Sequence, residues 1–332
     1  MKKVLVNKPI HADALKRLGE EVEVITPFTS PPSEVIAQLR DVQGLVLCAG
    51  LTVTGEVMDG CPSMEVIGRH GAGLDFVDVA AATKRGIPLV YTPEGPTEST
   101  AEHAFLLMLA AARKLPYLDR CIRSGDFNVR DRVVGREMKG TRAGVVGFGR
   151  IGKRFASMCR QALEMSISVY DPFTQRSAVD AWGADYWTDL AAMAGEVDVL
   201  SIHCPSTPET RHLVNRKVLQ ALGPQGFLIN AARGPIVDEA ALIEALQEHR
   251  IAGAGLDVYD PEPPAPDHPL FKLDNVVLTP HLASFTDEGR RRMGMMVAED
   301  VLRVLRGEPP VYQANPEVGV GKFIDGNARR AQ

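Results

Sequence analysis

The stretch that decides the fold is Gly147-Phe148-Gly149-Arg150-Ile151-Gly152, which matches the pattern Gly-x-Gly-x-x-Gly. An apolar run, residues 143–146, comes directly before it, and an amphipathic stretch, residues 151–163, follows it. Glycines at these positions allow a tight turn from a strand into a helix and a close approach of the backbone to a pyrophosphate. The N–H groups and the positive dipole end of the helix favour that anion. The motif predicts a dinucleotide-binding unit with cofactor contacts at Gly147, Gly149 and Gly152.

An acidic residue stands at the expected distance after this motif. The next apolar run, residues 166–170, ends at Asp171, nineteen residues after Gly152. A carboxylate at this offset hydrogen-bonds the adenosine ribose hydroxyls, and it would repel the extra phosphate of NADP. Pro172-Phe173 follows with no adjacent basic residue, and we interpret Arg176 as a solvated surface residue. These residues predict that the cofactor is NAD.

Strand-like and helix-like stretches alternate on both sides of the motif. Before it, short apolar runs such as residues 4–6 and 45–47 alternate with amphipathic stretches up to residue 91. After it, the same alternation continues from residue 143 to residue 279. This alternation is typical of parallel sheets covered by helices on both faces. We therefore expect an α/β chain with two doubly wound parallel-sheet domains.

Two longer helices are predicted at the domain boundaries. The capping box Ser99-Thr100-Ala101-Glu102 predicts a helix that begins near Thr100, runs towards Ile122 and stops at Gly125. Its apolar composition fits burial against another subunit or against its own domain, and the residues leave both interpretations open. Another helix should follow residues 284–287, and we expect the tail from Gly319 to be frayed.

Composition and charge exclude several classes of protein. A length of 332 residues favours two domains. Lys and Arg number 37 against 42 Asp and Glu, so no overall positive field would hold nucleic acid or an anionic membrane. The longest apolar run, residues 104–112, is far shorter than the ~20 residues of a membrane span, and no signal peptide is recognisable, so we expect a cytoplasmic protein. Five cysteines without a CxxC pair, and no histidine pair with ligand spacing, predict neither disulfides nor a metal site.

Polar residues follow three apolar runs in the second half of the chain, where open α/β sheets place their ligands. These segments are residues 230–239, 256–264 and 278–284. Arg233 could hold a carboxylate and polarise a neighbouring carbonyl. Histidine is the side-chain type that titrates near neutrality without help, and Glu262 beside His281 would stabilise the charged imidazole. Taken singly, residues of these three kinds more often have a surface or loop role.

A second glycine-containing stretch, Gly71-Ala72-Gly73-Leu74-Asp75, lacks the third glycine of a dinucleotide motif. Its free N–H groups could bind a substrate carboxylate, or the stretch could be only a tight turn. His70, directly before it, is the one further histidine that we consider as a substrate contact. The loops around Leu51, Arg69 and His70 should decide which acid is accepted.

Together these segments resemble the D-isomer-specific 2-hydroxyacid dehydrogenase family, which includes phosphoglycerate dehydrogenases and glyoxylate/hydroxypyruvate reductases. The resemblance extends over residues 45–310 and rests on six motifs in order. They are Gly71-Ala72-Gly73-Leu74-Asp75, Ala101-Glu102-His103, Gly147-Phe148-Gly149-Arg150-Ile151-Gly152, Asn230-Ala231-Ala232-Arg233-Gly234, Pro261-Glu262-Pro263 and Thr279-Pro280-His281. The family implies reversible hydride transfer between NAD(H) and a small 2-hydroxy or 2-keto acid.

The resemblance also implies a role for individual residues. Arg233 would orient the substrate, His281 would be the acid–base and Glu262 its partner, so these three are the predicted catalytic residues. Substrate contacts are predicted at Leu51, His70, Ala72, Gly73, Arg233 and Ser284, with the backbone of Ala72 and Gly73 receiving the carboxylate. Besides the glycines, the predicted cofactor contacts are Thr100, Arg150, Ile151, Asp171, Cys204, Ala231, Ala232, Arg233, Asp257 near the nicotinamide amide, and His281.

By the same resemblance, the Rossmann NAD-binding domain, residues 99–284, would be inserted into a flavodoxin-like substrate-binding domain. That domain would consist of residues 1–98 and 285–332, with hinges near Pro96 and Ser284 and the active site in the cleft between the domains. The resemblance also implies a homodimer built through the NAD-binding domain.

Departures from the family pattern concern the substrate. The stretch Leu47-Cys48-Ala49-Gly50-Leu51-Thr52 has no basic residue for a substrate phosphate, and we expect no regulatory domain after residue 332. Phosphoglycerate is therefore disfavoured, although Arg69 could serve an anionic substrate, and Phe76 replaces the usual Asn after Asp75. Alternatives on the same scaffold are a formate- or phosphite-type dehydrogenase and an NAD-sensing regulator without catalysis. Hydride donation from formate needs no proton shuttle, so the Arg–Glu–His set favours hydroxy acids.

Overall fold

The structure is a computed structural model that describes residues 1–29 and 31–320. The chain divides into two compact units, which we call the first unit, Met1–Thr97 with Phe285–Gln332, and the second unit, Glu98–Ser284. Apart from its first two residues, the tail predicted to be frayed from Gly319 lies outside the described residues. In the described part of the chain, no helix has both the length and the apolar character needed to cross a membrane.

The first unit is built around a five-stranded parallel sheet. Elements are numbered in chain order, and those of this unit are β1 (Lys3–Val6), α1 (Ala12–Gly19), β2 (Glu23–Ile25), α2 (Pro32–Gln38), β3 (Gly44–Leu47), α3 (Gly55–Asp59), β4 (Val66–Arg69), α4 (Val79–Lys84), β5 (Leu89–Tyr91) and α12 (Asp287–Leu305). The strand order is β2-β1-β3-β4-β5. This is the order of flavodoxin-like sheets.

Helix α12 packs directly on the middle of this sheet. A side chain at Gly68 in β4 would lie 2.6 Å from Val301 Cγ2 and 2.7 Å from Val297 Cγ2. Further along the same helix, a side chain at Gly294 would lie 2.8 Å from Ala14 Cβ of α1. The glycines therefore permit a close approach of the helix, and the chain after residue 285 completes the core of the sheet formed by the first residues.

The second unit contains a seven-stranded parallel sheet. Its elements are α5 (Thr97–Ala112), α6 (Leu115–Arg123), β6 (Arg142–Val146), α7 (Arg150–Leu163), β7 (Ser166–Tyr170), α8 (Arg176–Trp182), β8 (Asp185–Trp187), α9 (Leu190–Ala194), β9 (Val199–Ile202), α10 (Arg216–Leu222), β10 (Phe227–Asn230), α11 (Glu239–Gln247), β11 (Gly253–Leu256) and β12 (Val276–Leu278). The strand order is β12-β11-β10-β9-β6-β7-β8, so it reverses at β6 and β9. Rossmann sheets reverse at the same point. The predicted fold class, two doubly wound parallel-sheet domains, is confirmed.

The prediction of one boundary helix from Thr100 to Gly125 is wrong. The structure has two helices there, because α5 ends at Ala112 and Lys114 adopts a left-handed φ of 52° before α6 begins. Pro116 lies in the first turn of α6, the position where the missing N–H costs no hydrogen bond. Helix α5 also begins at Thr97, so the predicted capping box lies inside its first turns. Elements α8, β8 and α10 were not predicted.

A half-buried histidine directly follows β9. His203 Nε2 is 2.8 Å from Ser201 Oγ, and the ring is 4.9 Å from the ring of Phe155, measured between centroids. Burial lowers the pKa of His203 from its usual 6.5 to about 3. The imidazole is therefore neutral near pH 7.

This burial predicts a pH dependence of stability. Between pH 6.5 and about 3, the unfolded chain binds a proton at His203 that the folded chain does not bind, so the free energy of unfolding falls as the pH is lowered through this range. His203→Gln should reduce the slope by about 1.4 kcal/mol per pH unit. Urea unfolding can be followed by fluorescence, because both tryptophans, Trp182 and Trp187, lie in the second unit. His249→Gln, at an exposed histidine, is the control, and an unchanged slope in His203→Gln would contradict the assignment.

Candidate active site

The glycine loop connects β6 to α7 by close backbone contacts. Gly147 has a left-handed φ of 91°, and a side chain there would lie 2.7 Å from the backbone N of Cys204. A side chain at Gly152 would overlap the carbonyl oxygen of Gly147. Beside Gly149, by contrast, no described heavy atom lies within 4 Å of the place where a Cβ would be, and Gly149 caps α7 without a side-chain hydrogen bond. The open N-terminus of α7 therefore fits a pyrophosphate.

Asp171 is tied to this loop. Its Oδ2 accepts hydrogen bonds from Phe148 N at 2.7 Å and from Thr174 Oγ1 at 3.0 Å, and its Oδ1 accepts one from Phe173 N at 2.9 Å. Each carboxylate oxygen can accept more than one hydrogen bond, so the residue keeps acceptor capacity for a ribose hydroxyl. The nearby Arg176 forms an exposed ion pair with Asp180 at 3.6 Å. Asp171 therefore offers a hydrogen-bond acceptor for ribose hydroxyls at this end of β7.

Arg233 lies on a loop that Asn230 shapes. Asn230, at the end of β10, accepts a hydrogen bond from Ala232 N at 3.0 Å and donates one to the Arg233 carbonyl at 2.9 Å. The Arg233 guanidinium donates to the Ala232 carbonyl at 2.7 Å. A side chain at Gly234 would overlap the carbonyl of Tyr259. This glycine therefore lets the Arg233 loop contact the loop that carries Glu262.

Glu262 and His281 form a hydrogen-bonded pair. His281 Nδ1 lies 2.7 Å from Glu262 Oε2, and Glu262 Oε1 accepts a hydrogen bond from Tyr259 N at 3.0 Å. Burial acts to raise the pKa of Glu262, but the hydrogen bond and charge of His281, the Tyr259 amide and the Arg233 charge together hold it below its usual value. An ionised Glu262 accepts the Nδ1 proton, which leaves Nε2 as the His281 atom that can give or take a proton.

The carboxylate of Asp257 holds the segment that carries His281. It is fully buried, and its Oδ1 accepts hydrogen bonds from Thr279 Oγ1 at 2.6 Å and Leu282 N at 3.0 Å, while Oδ2 accepts one from Ala283 N at 2.8 Å. The Asp257 carbonyl accepts a hydrogen bond from His281 N at 2.7 Å. These oxygens therefore bond to the 279–283 loop, and the predicted contact of Asp257 with a nicotinamide amide stays a prediction.

Two side chains next to the Asp257 carboxylate, those of His103 and Thr279, were not predicted from the sequence. His103, on α5, has its Nε2 2.9 Å from Thr279 Oγ1 and 3.6 Å from Asp257 Oδ1. Both His103 and Thr279 stand in motifs that the sequence analysis quoted, but no role was assigned to either. The only available signal was a hydroxyl residue two places before His281, because the contact with His103 joins positions far apart in the chain.

A second support reaches the Glu262 loop from α11. Glu239 Oε2 accepts a hydrogen bond from Asp260 N at 3.3 Å, and Glu239 Oε1 lies 3.0 Å from His268 Nε2. Leu270 N donates to His268 Nδ1 at 3.4 Å, so Nε2 carries the proton and donates to Glu239. Glu239 therefore connects the loop after β11 to the start of α11.

The glycine turn after β4 in the first unit is shaped by Arg69. Its buried guanidinium donates to the carbonyls of Leu47 at 3.1 Å, His70 at 2.8 Å and Gly73 at 2.8 Å. Within the described residues, no acceptor meets the N–H groups of Ala72 and Gly73. The turn therefore presents two backbone donors, and the Arg69 side chain holds the turn in place by its hydrogen bonds to these carbonyls.

The other predicted substrate contacts of the first unit differ in accessibility. Leu51 is buried and belongs to the hydrophobic core of this unit. His70 Nε2 is buried with no partner among the described residues, and burial, followed by the charges of Arg69 and Arg290, lowers the pKa of His70 to about 4. His70 is therefore neutral near pH 7.

The remaining predicted contacts lie in the second unit. Thr100 is buried in α5 and Ala231 is buried after β10, whereas Arg150 is exposed at the start of α7. Ile151, Cys204, Ala232 and Ser284 are half-buried. Among the described residues, no three His, Cys, Asp or Glu side chains are grouped so that they could hold a metal ion.

Comparison with known proteins gives relatives for the whole chain. Residues 105–283 match the family model described as D-isomer specific 2-hydroxyacid dehydrogenase, NAD binding domain. A D-3-phosphoglycerate dehydrogenase of Archaeoglobus fulgidus is 42% identical over 310 residues, which cover 92% of this chain and 58% of that protein. A glyoxylate reductase of Thermofilum pendens is 39% identical over 323 residues, which cover 95% of both chains.

A solved structure has the same fold. It is the NADPH-dependent glyoxylate/hydroxypyruvate reductase of Sinorhizobium meliloti in complex with NADP and malonate, with a TM-score of 0.84, 34% identity, and coverage of 95% of this chain and 98% of that one. The chain thus spans 58% of the length of the archaeal phosphoglycerate dehydrogenase and 95% of that of the glyoxylate reductase. By its motifs, its fold and these relatives, the chain belongs to the D-isomer-specific 2-hydroxyacid dehydrogenase family.

Proposed function

We propose that the chain is an NAD-dependent D-2-hydroxyacid dehydrogenase that reversibly reduces a small 2-keto acid. The observation that carries this proposal is the pair of His281 Nδ1 and Glu262 Oε2 at 2.7 Å, beside a loop that bears Arg233. A proton donor held by a carboxylate is what reduction of a carbonyl requires, since an alkoxide must be protonated. This pair favours the proposal over a formate-type dehydrogenase, whose hydride donation needs no proton shuttle, while turnover of a keto acid would distinguish it from a regulator without catalysis.

The residues divide the work as follows. The dinucleotide, when bound, supplies the hydride to the carbonyl carbon. It would be held by Gly147, Gly149, Arg150, Ile151, Gly152 and Asp171, with Thr100, Cys204, Ala231, Ala232 and Asp257. Arg233 binds the substrate and polarises the carbonyl. His281 transfers its Nε2 proton to the carbonyl oxygen, and Glu262 stabilises the imidazolium before that transfer. In the oxidative direction, His281 takes the hydroxyl proton back.

We propose that the substrate carboxylate is received by the N–H groups of Ala72 and Gly73. Oriented backbone donors of this kind form anion-binding sites. The stretch of residues 47–52 has no basic side chain that could take a distal phosphate, and the Arg69 guanidinium bonds to three carbonyls. Glyoxylate and hydroxypyruvate are therefore favoured over phosphohydroxypyruvate, and a parallel assay of NADH oxidation with these acids and with pyruvate and branched keto acids decides among them.

His281→Ala should lower kcat for the best keto acid by about 10²–10⁴-fold, because the proton donor is lost. NADH binding, followed by fluorescence titration, should be unchanged. Glu262→Gln should also lower kcat, but by less, since the proton donor stays in place.

Arg233→Ala supplies the contrast, because it should chiefly raise KM for the keto acid. His249→Ala, at an exposed histidine, is the matched control and should behave as the wild type. Near-normal turnover of His281→Ala, or an unchanged KM and kcat in Arg233→Ala, would refute the assigned roles.

We infer further that NAD(H) is the physiological cofactor, although the Sinorhizobium meliloti relative is NADPH-dependent. The support is Asp171, whose negative charge stands at the end of β7 within 2.7 Å of the glycine loop. A 2′-phosphate would bring two negative charges together at a partly desolvated position, which is unfavourable.

Kinetics with both cofactors test this inference. The wild type should show kcat/KM for NADH at least about tenfold above that for NADPH, equivalent to 1.4 kcal/mol. Asp171→Ala should bring the kcat/KM values for NADH and NADPH closer together, because it weakens the binding of NADH and removes the repulsion of NADPH. Asp180→Ala removes a charge from the exposed pair with Arg176 and should keep the wild-type ratio. Equal kcat/KM values for the two cofactors in the wild type would contradict the proposal.

We also propose a homodimer built through the second unit, in the cytoplasm. The described part of this unit exposes a series of large apolar side chains along α5, α6 and the segment after them, each more than half exposed. They are Leu106, Leu115, Ile122, Phe127 and Val134. Apolar patches of this kind mark association surfaces. The five cysteines are free thiols, which fits a reducing compartment.

Light scattering after size exclusion should give twice the mass of one chain. Leu115→Lys and Val134→Lys, which place charges in the apolar series, should shift the protein to monomers at micromolar concentration. Val311→Lys, at an exposed apolar residue of the first unit, is the matched control. A monomeric wild type would remove the proposal.

A further inference from the structure

His103 has no role among the proposed functional residues. It contacts Thr279, which bonds to the Asp257 carboxylate, and this carboxylate holds the loop of residues 279–283. His103 Nε2 is 2.9 Å from Thr279 Oγ1, and Thr279 Oγ1 is 2.6 Å from Asp257 Oδ1. The side chain of His103 is 11% exposed and that of Asp257 is fully buried. Histidine, threonine and aspartate thus form a chain of two hydrogen bonds in the interior of the second unit.

Chemistry determines the direction of the protons along this chain. The donors around Asp257 outweigh its burial and hold its pKa below the usual value, so the carboxylate is ionised and only accepts hydrogen bonds. The Thr279 hydroxyl must then donate its single proton to Asp257, because its other acceptor, the Leu256 carbonyl, is 3.5 Å away. Thr279 Oγ1 can therefore only accept from His103, and His103 Nε2 must carry a proton.

The far end of the chain acts on the backbone next to His281. Asp257 Oδ1 and Oδ2 accept hydrogen bonds from Leu282 N and Ala283 N, and the Asp257 carbonyl accepts one from His281 N. His281 has a left-handed φ of 52°, a conformation that is uncommon for a residue with a Cβ. The carboxylate is therefore the anchor that holds this backbone.

We propose that His103 is a positioning residue for the reaction: through Thr279 it orients the Asp257 carboxylate, and through Asp257 it fixes the backbone that presents His281. This rests on the proposed function, in which His281 is the proton donor. Without the Thr279 hydroxyl, the fully buried carboxylate keeps only two N–H partners, and without the His103 donor the Thr279 hydroxyl can turn from Asp257 to the Leu256 carbonyl. A shift of about 1 Å in a catalytic group can lower the rate about 10²-fold.

Four variants test the chain of hydrogen bonds. His103→Met and Thr279→Val remove one link each while keeping approximate shape, and each should lower kcat about 10- to 100-fold with little change in the Kd for NADH. His103→Gln, whose amide nitrogen can reach the position of Nε2, and Thr279→Ser, which keeps the hydroxyl, should restore kcat to within about threefold of the wild type. The double variant His103→Met/Thr279→Val should be no worse than either single variant, since both break one chain.

Hydrogen exchange supplies a measurement that needs neither substrate nor cofactor. The amides of Leu282 and Ala283 should exchange faster in His103→Met and Thr279→Val than in the wild type, and at the wild-type rate in His103→Gln and Thr279→Ser. If the wild type reduces no keto acid, the proposed function fails, while the exchange rates still test the positioning role. If His103→Met does not fold, Thr279→Val decides, because valine has the shape of threonine.

Three results would overturn the proposal. They are a wild-type kcat and wild-type exchange in His103→Met, equal damage in His103→Gln and His103→Met, and additive losses in the double variant. Equal damage would mean that the imidazole acts by its bulk, and additive losses would mean that His103 and Thr279 act independently.

Discussion

A buried negative charge at Asp257 is the constraint on which the candidate site depends. A carboxylate without solvent is stable only when donors surround it, and here the donors are the side chain of Thr279 and the N–H groups of Leu282 and Ala283. The hydrogen bonds that satisfy the charge of Asp257 therefore also shape the loop of residues 279–283. His281, with its left-handed φ of 52°, lies between Thr279 and Leu282, which both bond to this carboxylate.

Parallel strand pairing brings the loops that carry Arg233 and Glu262 towards the loop of residues 279–283. Strands β9, β10, β11 and β12 are neighbours in one sheet, so the loops after β10, β11 and β12 leave at the same edge. Close approach of these loops needs glycine, as at Gly234, where any side chain would overlap Tyr259. The same requirement shapes the phosphate loop at Gly147 and Gly152. With a net charge of −5, the protein has no overall positive field, so the proposed anionic ligands would be attracted locally, by helix ends, turn amides and Arg233.

Prediction from the sequence succeeded where a signal is local. The glycine motif, the acidic residue nineteen places later and the alternation of apolar runs depend on neighbours in the chain, and they predicted both sheets. The boundary helix was wrong because the left-handed break at Lys114 and the helix start at Thr97 depend on packing as well as on residue type. His103 was overlooked because its partners, Thr279 and Asp257, lie more than 150 residues away in the sequence.

The sequence by itself determined the class of fold and the phosphate loop, because both are written in residue types at short, regular spacings, while the three residues proposed for catalysis came from the resemblance to the family. Only the tertiary structure decided which of these residues touch. It joined His281 to Glu262 at 2.7 Å, committed the Asp257 carboxylate to the catalytic loop, and turned Arg69 into the support of a turn. The physical reason is that hydrogen bonds and burial depend on distances in space, which a linear sequence records only where contacting residues are also near in the chain.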